Sequence, residues 1–193
     1  RRDSYCKENE AGSNTRGKGI IEFDVDEIRA SSSDKENKVR AYQYVMKGHA
    51  QQCVDRYLEL SGKKVDSLKQ VATPCIGDHQ INPDEVINKR ELAPIAARVV
   101  LKILYLARVA RLDLLWSVNV LARQVTRWTA ACDRRLRRLI AYIHHSRDHV
   151  QLSYVGDEPQ DCWLALYADA SFAGDLKDSK STSGCFLVLV GPN

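Results

Sequence analysis

Near its C-terminal end the chain carries two apolar runs, Trp163–Ala168 and Cys185–Val190, on either side of a polar segment rich in Gly, Asp, Lys and Ser. Apolar runs of this length, bounded by turn-forming residues, read as two strands of an antiparallel pair joined by a longish loop. The first run closes on a carboxylate, Asp169, where an apolar strand meets a polar loop. Two readings are open for it. An acid can simply form the turn that closes a strand, or, at the rim of a core, hold a cation without being fully buried.

What precedes the strand pair is mostly helical, so the expected class is α+β. From Ala41 to Leu60, the residues Tyr42, Val45, Met46, His49, Cys53, Tyr57 and Leu60 recur at intervals of three and four, and Gly62 ends that helix. Lys69–Cys75 is an extended link, because Pro74 pushes Thr73 out of the helical region, and Gly77–Arg90 is a loop. Three helices follow at Ala93–Arg108, Leu114–Val125 and Ala130–His145, with Asp113 and Thr129 positioned to cap the second and third. The second helix lines up Trp116, Asn119, Arg123 and Arg127 on one face. That face suits a nucleic-acid track, although packing of Trp116 against a neighbouring helix is the favoured reading. The third has an apolar stripe of Cys132, Leu136, Leu139, Ile140 and Ile143, with Arg134, Arg138 and His145 opposite. Residues 1–19 read as a flexible lead-in, Gly19–Ile28 as a short strand and His149–Val155 as another.

Charge is unevenly placed. The 193-residue chain has a net charge of +4, yet Glu91–Asp148 holds eleven Lys or Arg against four acids, and ten of the eleven are Arg. The planar Arg fork matches phosphate, and a positive stripe beside an acidic segment suits a nucleic-acid substrate; an ordinary solvated helix face accounts for it equally well. Lys180-Ser181 lacks the glycine spacing of a phosphate-binding loop, and reads as a polar turn or as a contact to phosphate. Phe23-Asp24-Val25-Asp26 is not a polymerase acid pair, which needs two adjacent Asp. Six cysteines without a Cys-x-x-Cys pair favour reduced, mostly buried thiols over disulfides or zinc, and His49 with Cys53 reads as core. No apolar run approaches the length of a membrane span and no signal-peptide pattern opens the chain, so a cytoplasmic or nuclear location is expected rather than secretion, with no membrane partner.

Tyr167-Ala168-Asp169-Ala170-Ser171-Phe172-Ala173-Gly174-Asp175, followed by Lys180-Ser181-Thr182-Ser183-Gly184, resembles the opening of the ribonuclease H domain in copia-type retrotransposon Pol polyproteins. The pattern there is roughly Tyr/Ser-x-Asp-Ala-Asp-Trp-Ala-Gly-Asp, a few residues, then Lys-Ser-Thr-Ser-Gly and an apolar strand. Ser171 replaces the second Asp and Phe172 the Trp. Arg111-Leu112-Asp113 is similar to the family's Arg-Pro-Asp, and the Ala130–His145 helix to the one leading into ribonuclease H.

The resemblance implies a lead-in over 1–40, the thumb end of a reverse transcriptase over 41–90, a helical connection over 91–148 and the first antiparallel strands of a truncated ribonuclease H-like fold over 149–193. It also implies that Asp169 is a catalytic, metal-binding carboxylate for Mg²⁺ in an incomplete site. Arg123, Arg127, Arg134, Arg138 and Lys180 would bind nucleic acid, with RNA–DNA hybrid or DNA and the remainder of the Pol polyprotein as partners. The chain opens on Arg1-Arg2 and ends two strands into the fold, as expected of a piece of a longer frame, and such a piece lacks the carboxylates for two-metal hydrolysis. The family activities, RNA-directed DNA synthesis and ribonuclease H cleavage, are therefore not expected of it alone. The rival expectation is a decayed or co-opted remnant acting as a non-enzymatic interaction module.

Overall fold

The computed structural model describes residues 17–24, 38–87, 91–172, 179 and 181–192. Within them the order is β1 (Gly17–Asp24), β2 (Lys38–Val45), α1 (Lys47–Ser61), α2 (Pro83–Ile87), α3 (Ala93–Val109), α4 (Leu115–Ala122), α5 (Ala130–His145), β3 (Gln151–Val155), β4 (Trp163–Ala170) and β5 (Ser183–Val190). The fold is α+β, with the described strands in two small antiparallel sheets, one ordered β1-β2-β3 and the other β4-β5. Two compact units result: one takes in Tyr42–Leu152, the other Ser153 onward together with Ile20–Ala41. The helices on either side of residue 90 therefore share one unit.

That unit is built on two amphipathic helices. The expected stripe of α5 is wholly buried, Cys132, Leu136, Leu139, Ile140 and Ile143 among them, and α5 packs against α1, α2 and α4. Helix α3 buries a wider arc, Ile95, Ala96, Val99, Val100, Ile103, Leu106 and Ala107, because α1 and α4 both lie on it. Each large side chain so buried contributes about 1.5–3 kcal/mol. From α1 the core receives Cys53, Val54 and Tyr57, and from α4 Val118 and Leu121. Gly62 adopts φ 66°, the left-handed conformation that lets α1 stop where the sequence predicts. His49 and Cys53 are structural. The His49 Nε2 lies 3.1 Å from the Lys102 carbonyl oxygen, and burial pushes the Cys53 thiol up to about 12, which leaves it unreactive. Of the other described thiols Cys132 is buried as expected, whereas Cys75 and Cys162 are half-buried and Cys185 is exposed.

Three expectations are corrected. Residues 41–45 are strand, not helix: Lys38–Val45 is rich in Val and Tyr and pairs within the three-stranded sheet, which a 3.6-residue reading of Tyr42 and Val45 overlooked. Gly77–Arg90 is not all loop, since it contains α2. Asp113 does not cap α4, whose first residue follows Leu114, and Thr129 occupies the cap position of α5 without a capping side-chain bond.

Asp113 instead holds Arg111. Its Oδ1 accepts from Arg111 Nε at 2.9 Å and its Oδ2 from Nη2 at 2.8 Å, a bidentate pair. Arg111 is only 3% exposed, and two further donors reach the carbonyl oxygen and Oγ of Ser146, both at 2.8 Å. Burial pushes the Asp113 carboxyl up, but the hydrogen bond and charge of Arg111 outweigh it and hold the group below the usual aspartate range. Because the folded value lies below the unfolded one, the pair's contribution is complete above the ordinary aspartate range and is lost as pH falls through the lowered value. Asp113→Asn is expected to cost about 1–3 kcal/mol at neutral pH, discounted for the partial exposure of Asp113, and to flatten this acid limb in urea titrations across pH. An unchanged acid limb in the variant contradicts that role for the pair.

Candidate nucleic-acid interface and metal-ligand strand

Strands β4 and β5 pair in antiparallel register with Asp169 opposite Gly184 and Ala170 opposite Ser183. The two motifs either side of the loop therefore face each other across the ladder. Beyond the last pair, the Ser171 N–H donates to the Thr182 carbonyl oxygen at 2.9 Å, and the Ser171 Oγ accepts from the Thr182 N–H at 3.0 Å. Ser171 thus closes the mouth of the hairpin by binding the other motif's backbone on both sides. An Asp side chain at that position could accept the same N–H.

Asp169 is exposed at the end of β4, and its Oδ1 accepts the Ala170 N–H at 2.8 Å. The recess beside it, about 370 Å³ and open to solvent, is lined by Ala168, Asp169, Ala170, Ser183, Gly184 and Cys185. A hard divalent cation needs several oxygen ligands, and Asp169 is the one carboxylate in that lining. Among the described residues no three His, Cys, Asp or Glu gather to hold a metal ion. Asp169 alone is thus a poor fit to Mg²⁺, and no hydrolytic step follows from this set. Asp175, Asp178 and Lys180 lie outside the described residues.

The arginines divide into two groups. Three of the four on α5 bond the chain's own segment 73–85. Arg134 Nη1 donates to the Gln80 carbonyl oxygen at 2.8 Å and pairs with Glu85 Oε2 at 3.1 Å. Arg135 pairs with Asp78, and Arg138 donates from Nε to the Thr73 carbonyl oxygen at 2.9 Å and from Nη2 to Thr73 Oγ1 at 3.0 Å. Together they fasten the segment 73–85 along α5, satisfying backbone carbonyls that no regular element uses. Arg134 and Arg138, expected to bind phosphate, are thus engaged with the chain's own segment 73–85.

Arg123 and Arg127 differ. Both are exposed, one at the C-terminus of α4 and the other in the 3₁₀ turn Val125–Arg127, and neither guanidinium has a partner among the described residues. Trp116 is not packed against a neighbouring helix, as the sequence favoured, but 60% exposed on the same helix. Sequence reasoning missed Arg111 and Arg135. The acids Asp78, Asp84 and Glu85 in an otherwise irregular segment were a usable signal for the second, since they answer the arginine face of α5. No family model matches the chain, and no curated protein or solved structure is significantly similar to it.

Replacing Arg134 and Arg138 together by Ala is expected to release the segment 73–85. Limited proteolysis would then cut there at least several-fold faster, with α3 and α5 still intact. Cleavage at the wild-type rate contradicts the fastening role.

Proposed function

We propose that the chain is part of a copia-type retrotransposon reverse transcriptase and ribonuclease H polyprotein. In this reading the helical unit, taking the thumb end and the connection together, binds RNA–DNA hybrid or DNA through its backbone phosphates. Strands β4 and β5 are the opening pair of a ribonuclease H-like fold. Asp169 contributes one carboxylate to a Mg²⁺ site whose other acids come from elsewhere in the parent protein, so this chain does not cleave a hybrid alone. The remainder of the Pol polyprotein is then its partner, in the cytoplasm or the nucleus. No described helix is long and apolar enough to cross a membrane.

The observation that carries the reading is the hairpin mouth. The Tyr-Ala-Asp-Ala-Ser and Lys-Ser-Thr-Ser-Gly motifs are thirteen residues apart when counted from Asp169 to Thr182, yet Ser171 and Thr182 bond directly and Asp169 faces Gly184. Two motifs that meet in this way act as one unit, with the carboxylate at its tip.

A second reading, a decayed or co-opted remnant serving as a non-enzymatic interaction module, draws on a different observation. Three arginines of α5 are committed to the chain's own segment 73–85, which removes the densest part of the positive stripe from phosphate.

Salt dependence separates the two. Titrating an RNA–DNA hybrid at increasing salt is expected to give a log–log slope of about −2 or steeper, because Arg123 and Arg127 together release about two counterions. No binding even at low salt favours the interaction module.

A further inference from the structure

Tryptophan is usually among the most buried residues, so a ring 60% exposed on a short, otherwise well-packed helix calls for a reason. Helix α4 turns Ser117, Val118 and Leu121 inward and leaves Trp116, Asn119 and then Arg123 facing solvent. Trp116 lines a recess of about 10 Å³ together with Pro74, Ile76, Val120 and Arg135, room for at most one water. The side chain is therefore partly held by these neighbours, while most of it stays open to solvent. Arg135, held by Asp78, fixes the segment that supplies this support.

The charge around the ring says what could lie on it. From Leu115 to Arg127 the chain holds two arginines and no acid, and both guanidinium groups are free among the described residues. About 10 Å of helix axis separates Trp116 from Arg123, and Arg127 follows in the next turn. A flat aromatic surface flanked by unpaired cations suits a partner that is both planar and anionic. An apolar protein surface would gain from the indole but leave those charges without counterparts.

We infer that Trp116 is a stacking platform for an unpaired base, with Arg123 and Arg127 on the neighbouring phosphates, so that this face takes single-stranded nucleic acid. The inference rests on the nucleic-acid reading above and adds a site to it: backbone contacts alone hold a duplex, whereas the indole needs a base out of its stack. Bases stack on aromatic rings with little regard to sequence, and the contribution is non-ionic.

The test uses the whole chain with labelled oligo(dT) and an RNA–DNA hybrid of equal length, followed by fluorescence anisotropy. Trp116→Ala is expected to weaken oligo(dT) binding about 5- to 150-fold with the salt slope unchanged, and to leave hybrid affinity within about 2-fold. Trp116→Phe should retain most of the affinity. Changing both Arg123 and Arg127 to Gln should instead lower the salt slope by about 1.4. Should Trp116→Ala fold poorly, the emission of Trp116 in a Trp163→Phe background gives an independent readout, since Trp128 is buried. Bound oligo(dT) should quench it. Unaltered oligo(dT) affinity in Trp116→Ala, or no quenching, overturns the stacking site and leaves the backbone-binding reading standing. Failure of the unaltered chain to bind either probe at low salt overturns both.

Discussion

A guanidinium that is 3% exposed has little water to turn to, so the donors of Arg111 must be met by protein. Four of its five N–H groups are directed at two residues far apart in sequence, Asp113 just ahead of α4 and Ser146 at the end of α5. The arrangement links the turn that follows α3 to the C-terminus of the central helix. Ser146 is itself set by that helix, its Oγ donating to the Tyr142 carbonyl oxygen at 2.6 Å, and the Arg111 guanidinium lies 5.7 Å from the Tyr142 ring centroid. The joint thus ties the turn ahead of α4, the helix that carries Trp116, to the end of α5.

Around it the arginine-rich segment serves two ends. One set is consumed in building the helical unit: Arg111 inside it, and Arg134, Arg135 and Arg138 along the irregular stretch 73–85. Arg123 and Arg127, like Arg98 and Arg108 on α3, are exposed and left for partners. The excess of positive charge counted from sequence is therefore an upper limit on what any polyanion meets. The two surface ion pairs are individually worth little, but Arg134 and Arg138, as donors to the Gln80 and Thr73 carbonyls, also relieve backbone groups that would otherwise depend on solvent.

Much of this was legible in advance where one rule acted alone. The stripe of α5 obeyed a 3.6-residue period strongly enough that its bounds, Ala130–His145, agree with expectation, and Gly62 ended α1 by the left-handed conformation that glycine permits. The β4–β5 pair was readable from two apolar runs and the turn residues between them. Legibility failed where two periods or two partners competed. Tyr42 and Val45 fit a helix face, but sheet pairing decided their conformation. Asp113 had the position of a cap, yet a buried guanidinium two residues away was the stronger attraction. The exposure of Trp116 could not be read, because it depends on which neighbour reaches α4, and the segment 74–76 beside it leaves the residue 60% exposed.

The strand pair stands apart in its physics. Trp163, Leu164, Leu166 and Tyr167 on β4, and Phe186, Leu187 and Leu189 on β5, are each more than half exposed, and alternation along a strand distributes them over both faces. Two strands without an apolar cover are marginal in water, whereas the helical unit encloses a continuous core. Amide hydrogen exchange on the whole chain tests this division most directly. The amides of α3 and α5 are predicted to exchange only through global unfolding, and those of β4 and β5 orders of magnitude faster. Strand amides as slow as those of α5 would contradict it.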